Sequence, residues 1–191
     1  MPLPSTVERE ELHHRTISMK VFRRKGGLYD VEAHLVDTKP FAFERVNRPD
    51  PLPAGQALHD LWVRLVLDDE HTLLAVEAAS DTTPFAICPQ AGASLSALVG
   101  TRIGKGWSKD VRERLQRIDN CTHLVERLMP LATTARMGTR GTQPIAVRFP
   151  PGKRQSQLDS CYAWSAEREM VGNAWPEYSR KPLPADTPNT V

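Results

Sequence analysis

The feature that most constrains the fold is a strict alternation of apolar and polar residues before and after a pair of glycines. Ile17, Met19 and Val21 alternate with polar positions, which is the period of a half-buried β-strand. Gly26 and Gly27 then supply the positive φ angles that a tight hairpin needs. The pattern therefore predicts that the chain opens with a β-hairpin.

The same alternation continues through three more segments. Its apolar positions are Tyr29, Val31, Ala33 and Leu35, then Leu61, Val63, Leu65 and Leu67, and finally Leu74, Val76 and Ala78. Asp68, Asp69 and Glu70 form a polar turn between the last two segments. Two hairpins in series predict an antiparallel sheet of about four strands.

Helical spacing of apolar residues follows the strands. We predict helices over residues 91–99 and 109–118, the second with Ser108 as its N-cap. A third helix begins near Thr122, and Pro130 is expected to kink it or end it early. Strands followed by helices, rather than alternating with them, predict an α+β fold with about three helices packed on the sheet.

Glycine and proline residues indicate loops in the rest of the chain. Residues 138–152 are predicted to be a long loop, followed by two short strands at 158–164 and 169–171. Four prolines between residues 176 and 188 predict an extended tail. We expect a disordered segment over 1–11, a single domain over 12–175 and a Pro-rich tail over 176–191.

Composition excludes several classes of protein. The 191 residues are 40% hydrophobic and 25% charged, which is typical of a globular chain that needs no disulfides. No apolar run approaches the roughly 20 residues of a membrane helix, and the acidic N-terminus does not look like a signal peptide. Three cysteines favour reduced thiols and a cytoplasmic location. A net charge of +2 does not by itself indicate a nucleic-acid or membrane partner.

Candidate functional residues fall at three boundaries between elements. His59 and Asp60 precede the third strand, where they form either an acid–base pair or an ordinary surface pair. Cys88 precedes the first helix, as a reactive or ligating thiol or as a small buried hydrophobe. Cys121 and His123 lie at the start of the third helix, without the Cys-x₂₋₄-Cys spacing of structural zinc sites.

Other polar residues have two interpretations each. We expect His13 and His14 to be a solvated segment, and His34 faces either a pocket or water. Basic residues concentrate in 102–117 and 136–154, where they form a solvated face or bind an anionic substrate. Phosphate-backbone binding is a third reading of the two basic stretches, which offer few aromatic residues for stacking.

Several strings occur in the order of a known family. They are Leu12-His-His-Arg15, Asp30-Val-Glu-Ala-His34-Leu-Val-Asp37-Thr-Lys39, His59-Asp60-Leu-Trp62-Val-Arg64-Leu, Gly106-Trp107, Val111-Arg-Glu-Arg-Leu115, Cys121-Thr-His123-Leu and Leu158-Asp-Ser-Cys161-Tyr-Ala. Together they resemble a bacterial family of unknown function, DUF2889, over residues 12–178. The resemblance implies no mechanism.

The order of features also resembles iron–sulfur scaffold proteins of the NifU-like and SufE-like kind. Asp60 matches the scaffold aspartate, Cys88 falls near the loop cysteine and Cys121 near the late cysteine. His123 follows the late cysteine instead of preceding it, and the first cysteine ligand has no counterpart. This resemblance implies that His59, Asp60, Cys88, Cys121 and His123 converge in one pocket of a NifU-like fold.

The pocket hypothesis assigns each residue a role. His59 or His123 acts as a base with Asp60 as its orienter. Alternatively, Cys88, Cys121 and His123 bind zinc or iron. Trp62, Trp107 and Arg102 are the expected substrate contacts.

These residues predict a small-molecule enzyme of lyase, isomerase or hydrolase type acting on an anionic organic substrate, in aromatic or acyl catabolism. The first alternative is a metal- or sulfur-carrying scaffold without catalysis. The second is a module that binds nucleic acid or protein. The cofactor is either absent or zinc or iron, and the chain could form a homo-oligomer.

Overall fold

A computed structural model describes residues 7–46 and 48–180 of the chain. The chain divides into two compact units, Met1–Thr142 and Gln143–Val191. Residues 1–6 of the predicted disordered segment and 181–191 of the predicted tail lie outside the described residues. The single domain expected over 12–175 stays a prediction.

The first unit is built on an antiparallel sheet. Its strands are β1 (His14–Arg23), β2 (Tyr29–Thr38), β3 (Ala57–Leu67) and β4 (Leu73–Thr82), in the spatial order β1-β2-β3-β4. Each strand pairs antiparallel with the next, and Gly27 takes a φ of 87° in the first hairpin. The predicted four-stranded sheet of two hairpins is confirmed.

Helices follow the sheet and complete the predicted α+β fold. They are a 3₁₀ helix (Cys88–Leu98), α1 (Trp107–Arg114), a 3₁₀ turn (Arg117–Asp119), α2 (Thr122–Val125) and α3 (Leu128–Gly141). Leucines of these helices, such as Leu95 and Leu128, are fully buried in one core with Leu35 and Leu65 of the sheet. No helix in the described part of the chain has the length and apolar character needed to cross a membrane.

Three local predictions about the helices are wrong. The segment predicted as a helix over 91–99 is 3₁₀ and begins earlier, at Cys88. Ser108 is not an N-cap, because α1 already begins at Trp107, directly after Gly106 with a φ of 98°. The same helix ends at Arg114 rather than Ile118, since Leu115 is extended.

The third predicted helix is interrupted before Pro130, not at it. Helix α2 ends at Val125 and α3 begins at Leu128, so Pro130 lies in the first turn of α3, where backbone N–H groups have no helical partner. Helix α3 then continues through Gly138, which was predicted as loop. A Cβ at Gly138 would lie 2.7 Å from Val21 Cγ2, so glycine allows α3 to approach β1 closely.

The second unit contains α4 (Ile145–Arg148), α5 (Glu169–Ala174) and a 3₁₀ turn (Pro176–Tyr178). The strands predicted at 158–164 and 169–171 are wrong. The first is a loop closed by the Asp159 N–H donating to the carbonyl oxygen of Trp164, with Asp159 at a φ of 60°. The second begins α5. Phe149, Trp164 and Trp175 form an aromatic cluster in this unit.

Candidate functional site

Three charged or polar residues form one cross-strand row on the inner face of the sheet. The register pairs Arg15 of β1 with Asp37 of β2, and Asp37 with His59 of β3. Each residue continues the alternation that places Leu35 and Leu61 in the core. Asp37 is 0% exposed and His59 is 9% exposed, so the row lies at the end of the apolar core.

Asp37 is the centre of this row. Arg15 donates from Nε to Oδ1 (2.7 Å) and from Nη2 to Oδ2 (2.8 Å), which is the bidentate geometry of a strong ion pair. His13 Nε2 lies 3.2 Å from Oδ1. Burial raises the pKa of Asp37, but the hydrogen bond and charge of Arg15 outweigh it and hold that pKa below its usual value. Asp37 is therefore a buried carboxylate anion.

The anion fixes the orientation of His59. Nδ1 of His59 lies 3.0 Å from Asp37 Oδ2. Because an ionised carboxylate only accepts, Nδ1 carries the hydrogen and Nε2 is the basic nitrogen of the neutral ring. Burial lowers the pKa of His59, and repulsion from His123 lowers it further against the attraction of Asp37. The ring is therefore neutral at pH 7 and can accept a proton at Nε2.

Helix α2 brings a second imidazole to the first. The ring centroids of His59 and His123 are 4.1 Å apart, with an angle of 39° between the planes. Burial, followed by the charge of Arg15, lowers the pKa of His123. Cys121, directly before α2, has its Sγ 3.8 Å from Nδ1 of His123. Two neutral imidazoles and a thiol thus share one site.

Arg127, between α2 and α3, adds a buried positive charge. It is 1% exposed, and its Nη1 donates to the carbonyl oxygen of Leu61 (3.1 Å). Its Nε and Nη2 are buried and have no hydrogen-bond partner among the residues that the structure describes. Burial lowers the pKa of Arg127 to about 10, so the guanidinium is still charged at pH 7. The site therefore holds two guanidiniums, the buried Arg127 and the partly exposed Arg15, against the carboxylate of Asp37.

Asp37, His59 and His123 are also the residues best placed to hold a metal ion. Their potential ligand atoms lie within 4.8 Å of one another, and among the described residues neither Cys88 nor Cys121 belongs to such a group. Both oxygens of Asp37, however, accept hydrogen bonds from Arg15. The buried charges favour an anion over a divalent cation at this position.

The structure does not bring Asp60 to His59. Adjacent residues of a strand point to opposite faces, so Asp60 lies on the outer face and its Oδ1 is 2.7 Å from Nε2 of His34. Trp62 lies on the same outer face, 37% exposed, with its ring stacked on His34 at 3.7 Å. Trp62 and Arg64 line an outer cleft of about 310 Å³.

The other predicted substrate contacts are also apart from the His59–His123 pair. Arg102 is exposed and pairs with Glu70 at the turn before β4. Trp107 is a core residue, 3.4 Å from the carbonyl oxygen of Leu128 through its Nε1. Cys88 begins the 3₁₀ helix. Of the predicted site residues, only His59, Cys121 and His123 lie in one group of contacts.

The sequence analysis missed Arg15, Asp37 and Arg127 and treated His13 as solvated. A signal for the first two was present, because Arg15 and Asp37 occupy inner positions of the period-two pattern. Arg127 lies three residues after Leu124 and four before Leu131, which is the spacing of the buried helix face. A charged residue at an apolar position of a pattern was the informative feature.

Comparison with known proteins identifies the family without adding a function. No curated protein and no solved structure matches the chain, and the NifU-like resemblance receives no support. The model of the family described as "Protein of unknown function (DUF2889)" matches residues 13–137, close to two thirds of the chain. This span begins at His13 and includes every residue of the site described above. The chain belongs to the DUF2889 family.

Proposed function

We propose that this protein is an enzyme that transfers protons to and from an anionic small organic molecule, with His59 as the general base. The observation that carries the proposal is the hydrogen bond between Asp37 and Nδ1 of His59. It fixes one tautomer and leaves Nε2 as the proton acceptor, which is the arrangement that general-base histidines require. Asp37 takes the orienting role that the sequence suggested for Asp60.

Burial and charge support the choice of an anionic substrate. His59 and His123 are neutral at pH 7 because burial lowers their pKa values, so either ring can accept a proton from a substrate. The buried Arg127 and the partly exposed Arg15 provide positive charge that stabilises a carboxylate or an enolate. Glu126 offsets little of it, because its carboxylate is largely exposed and 3.9 Å from Nη1 of Arg15.

Proton abstraction from carbon next to a carbonyl is the reaction that fits these groups best. Nε2 of His59 takes the proton, and the same proton returns, directly or by way of His123, to another atom of the substrate or to a leaving group. This pair of steps is common to lyases and isomerases. Trp62 and Arg102, which lie outside the pair, are not needed for it.

Carbon-acid exchange in D₂O tests the proposal without a known substrate. Pyruvate and malonate are incubated with the protein, and deuterium at carbon is followed by NMR. Benzoate serves as a carboxylate without an exchangeable C–H. We expect catalysed exchange for at least one acid, and all three anions should shift the imidazole resonances of His59 and His123.

His59→Gln and His34→Gln are the matched variants. The first removes the inner imidazole and should lower exchange by about 100-fold or more. The second removes the outer imidazole and should leave exchange unchanged. Exchange that survives in His59→Gln, or anions that leave both imidazole resonances unmoved, would contradict the proposal.

A metal-binding protein is the second candidate, favoured by the proximity of Asp37, His59 and His123. In that case Nε2 of His59 and a nitrogen of His123 bind zinc or iron, and Asp37 supports His59 from behind. Elemental analysis of the purified chain and of His123→Gln decides between the candidates. Near-stoichiometric metal that disappears in the variant would favour the metal-binding function.

A further inference from the structure

Cys121 is not used by general-base catalysis at His59, and among the described residues Nε and Nη2 of Arg127 have no hydrogen-bond partner. Cys121 is partly exposed, so a small molecule can reach it, and its Sγ lies 3.8 Å from Nδ1 of His123. His123 in turn contacts His59, which Asp37 and Arg15 hold in place. Thiol, imidazole, imidazole and carboxylate therefore follow one another in a single chain of contacts.

Arg127 indicates what this chain of contacts stabilises. A guanidinium that is 1% exposed with two unpartnered nitrogens carries an uncompensated cost of burial. The carboxylate of Asp37 is already taken by Arg15. Cys121 is close enough to Arg127 for a charge on its sulfur to interact with the guanidinium. Arg127 would therefore stabilise a negative charge that forms at or next to the sulfur of Cys121 during a reaction.

We infer that Cys121 is a covalent nucleophile that accepts an acyl group from an ester or thioester, with His123 as its base. This inference rests on the proposed function, because the same two histidines carry the protons. It adds activated acyl compounds as a second substrate class to the carbon acids of the proposed function. His59 is then the base for hydrolysis of the acyl-cysteine.

The acyl transfer balances with the groups present. The S–H proton of Cys121 moves to Nδ1 of His123 while Sγ forms a bond to the acyl carbon, and the carbonyl electron pair moves to oxygen. Arg127 stabilises this negative charge through its field. The electron pair on oxygen then re-forms the carbonyl as the bond to the leaving alkoxide or thiolate breaks. His123 gives the leaving group the proton that it took from Cys121.

Hydrolysis of the acyl-cysteine completes the cycle. Water attacks the thioester carbon while Nε2 of His59 takes one of its protons. The C–S bond breaks as the carboxylic acid leaves, and the proton held by His59 passes by way of His123 to the sulfur of Cys121. No atom changes its oxidation state, so the reaction requires no oxidant or reductant.

Alkylation of the full chain with iodoacetamide at pH 7 tests the nucleophile directly. Trypsin separates the three cysteines onto peptides 65–102, 118–127 and 155–168, so each rate is measured in the same molecule. Cys161 is exposed, whereas Cys121 is half-buried. An activated Cys121 should nevertheless react at least about tenfold faster than Cys161.

His123→Gln and His34→Gln separate activation from simple access. We expect His123→Gln to lower the alkylation rate of Cys121 to that of Cys161 or below, with the rates of Cys88 and Cys161 unchanged. His34→Gln should change none of the three rates. Equal or slower alkylation of Cys121 relative to Cys161 in the unmodified protein would overturn the inference, and this comparison requires no variant to fold.

Acetyl transfer from p-nitrophenyl acetate tests the covalent step. In His59→Gln, which lacks the base for hydrolysis, the intact chain should gain the mass of one acetyl group, and so should His59→Gln with Cys161→Ser, whereas His59→Gln with Cys121→Ser should not. Retention of the acetyl group in His59→Gln with Cys121→Ser would overturn the inference. If Cys121 is inert but carboxylates still undergo His59-dependent exchange, this inference is wrong and the proposed function stands. If Cys121 is reactive but no exchange occurs, the carbon-acid chemistry is wrong and this inference stands.

Discussion

Strands β2 and β3 carry two histidine–aspartate pairs, one on each face of the sheet. On the inner face Asp37 and His59 are buried, and Arg15 holds the carboxylate through two hydrogen bonds. On the outer face His34 and Asp60 are 2.7 Å apart but more than a quarter of each side chain is exposed. The same two residue types therefore form a preorganised site on one face and a solvated pair on the other.

Burial explains the difference between the faces. Water competes for the hydrogen bonds of His34 and Asp60 and screens their charges, so neither group has to be satisfied by the protein. Asp37 is buried away from water, so protein groups must supply the hydrogen-bond donors that its carboxylate needs. A histidine that depends on a buried carboxylate has a fixed tautomer, which is what proton transfer at a defined atom needs.

Removing each carboxylate gives the largest expected contrast. Asp37→Asn leaves Arg15 without its counter-ion, and we expect a loss of about 2–4 kcal/mol in the free energy of unfolding, moderated because Arg15 is partly exposed. Asp60→Asn should cost less than about 1 kcal/mol. Urea unfolding of both variants at pH 7 measures the difference, and equal losses would mean that the two faces are energetically alike.

The pH dependence of stability distinguishes the faces next. Burial lowers the pKa values of His59, His123 and His71 in the folded chain, so the unfolded chain binds more protons below pH 6.5. Stability must then fall as the pH is lowered from 7.5 to 5.5. Asp37 does not contribute in this range, because its lowered pKa costs stability only below about pH 4.

Histidine variants assign this slope to the inner site. His59→Gln should flatten the fall in unfolding free energy between pH 7.5 and 5.5, and the double variant His59→Gln with His123→Gln should flatten it further. Urea unfolding at four pH values across this window provides the measurement. A slope unchanged in the double variant would mean that the inner imidazoles bind as many protons in the folded protein as in the unfolded chain.

The contrast between the faces also shows which features the sequence could predict. Period-two alternation and the Gly26-Gly27 turn were sufficient to predict the sheet, because in β2 and β3 the residues that the alternation marks as apolar are the ones that the sheet buries. The same alternation places Asp37 on the inner face and Asp60 on the outer one. Sequence adjacency suggested His59 with Asp60, whereas the strand pairing that joins Asp37 to His59 depends on a partner 22 residues away.

Features set by non-local contacts were out of reach. Helix α2 ends before Pro130, and α3 extends through Gly138 because that glycine packs against Val21 of β1. In the second unit, the strand pattern after Leu158 is overridden by the carboxylate of Asp159, which accepts the N–H of Ala166 and closes a loop. Sequence spacing records none of these partners.

The arginines of the two faces differ in how fully their charges are paired, and substituting one of them gives the smallest expected effect on stability. Arg64 on the outer face is paired with both Glu32 and Glu77, and Arg15 on the inner face is paired with Asp37. Within the described part of the chain, Arg127 has a single hydrogen bond, to the carbonyl oxygen of Leu61, and two buried nitrogens without partners. Burial of the Arg127 charge is therefore destabilising, because none of the described carboxylates forms an ion pair with it.

Arg127→Met should leave the free energy of unfolding within about 1 kcal/mol of the parent value, because the lost hydrogen bond is offset by relief of the buried charge. Arg15→Met is the matched variant and should lose more, since it leaves Asp37 buried without its cation. The same Arg127→Met chain should alkylate Cys121 more slowly. A stable variant with a slower Cys121 would show that Arg127 is retained for the chemistry of the site, whereas a large loss of stability would show that it is paired in solution.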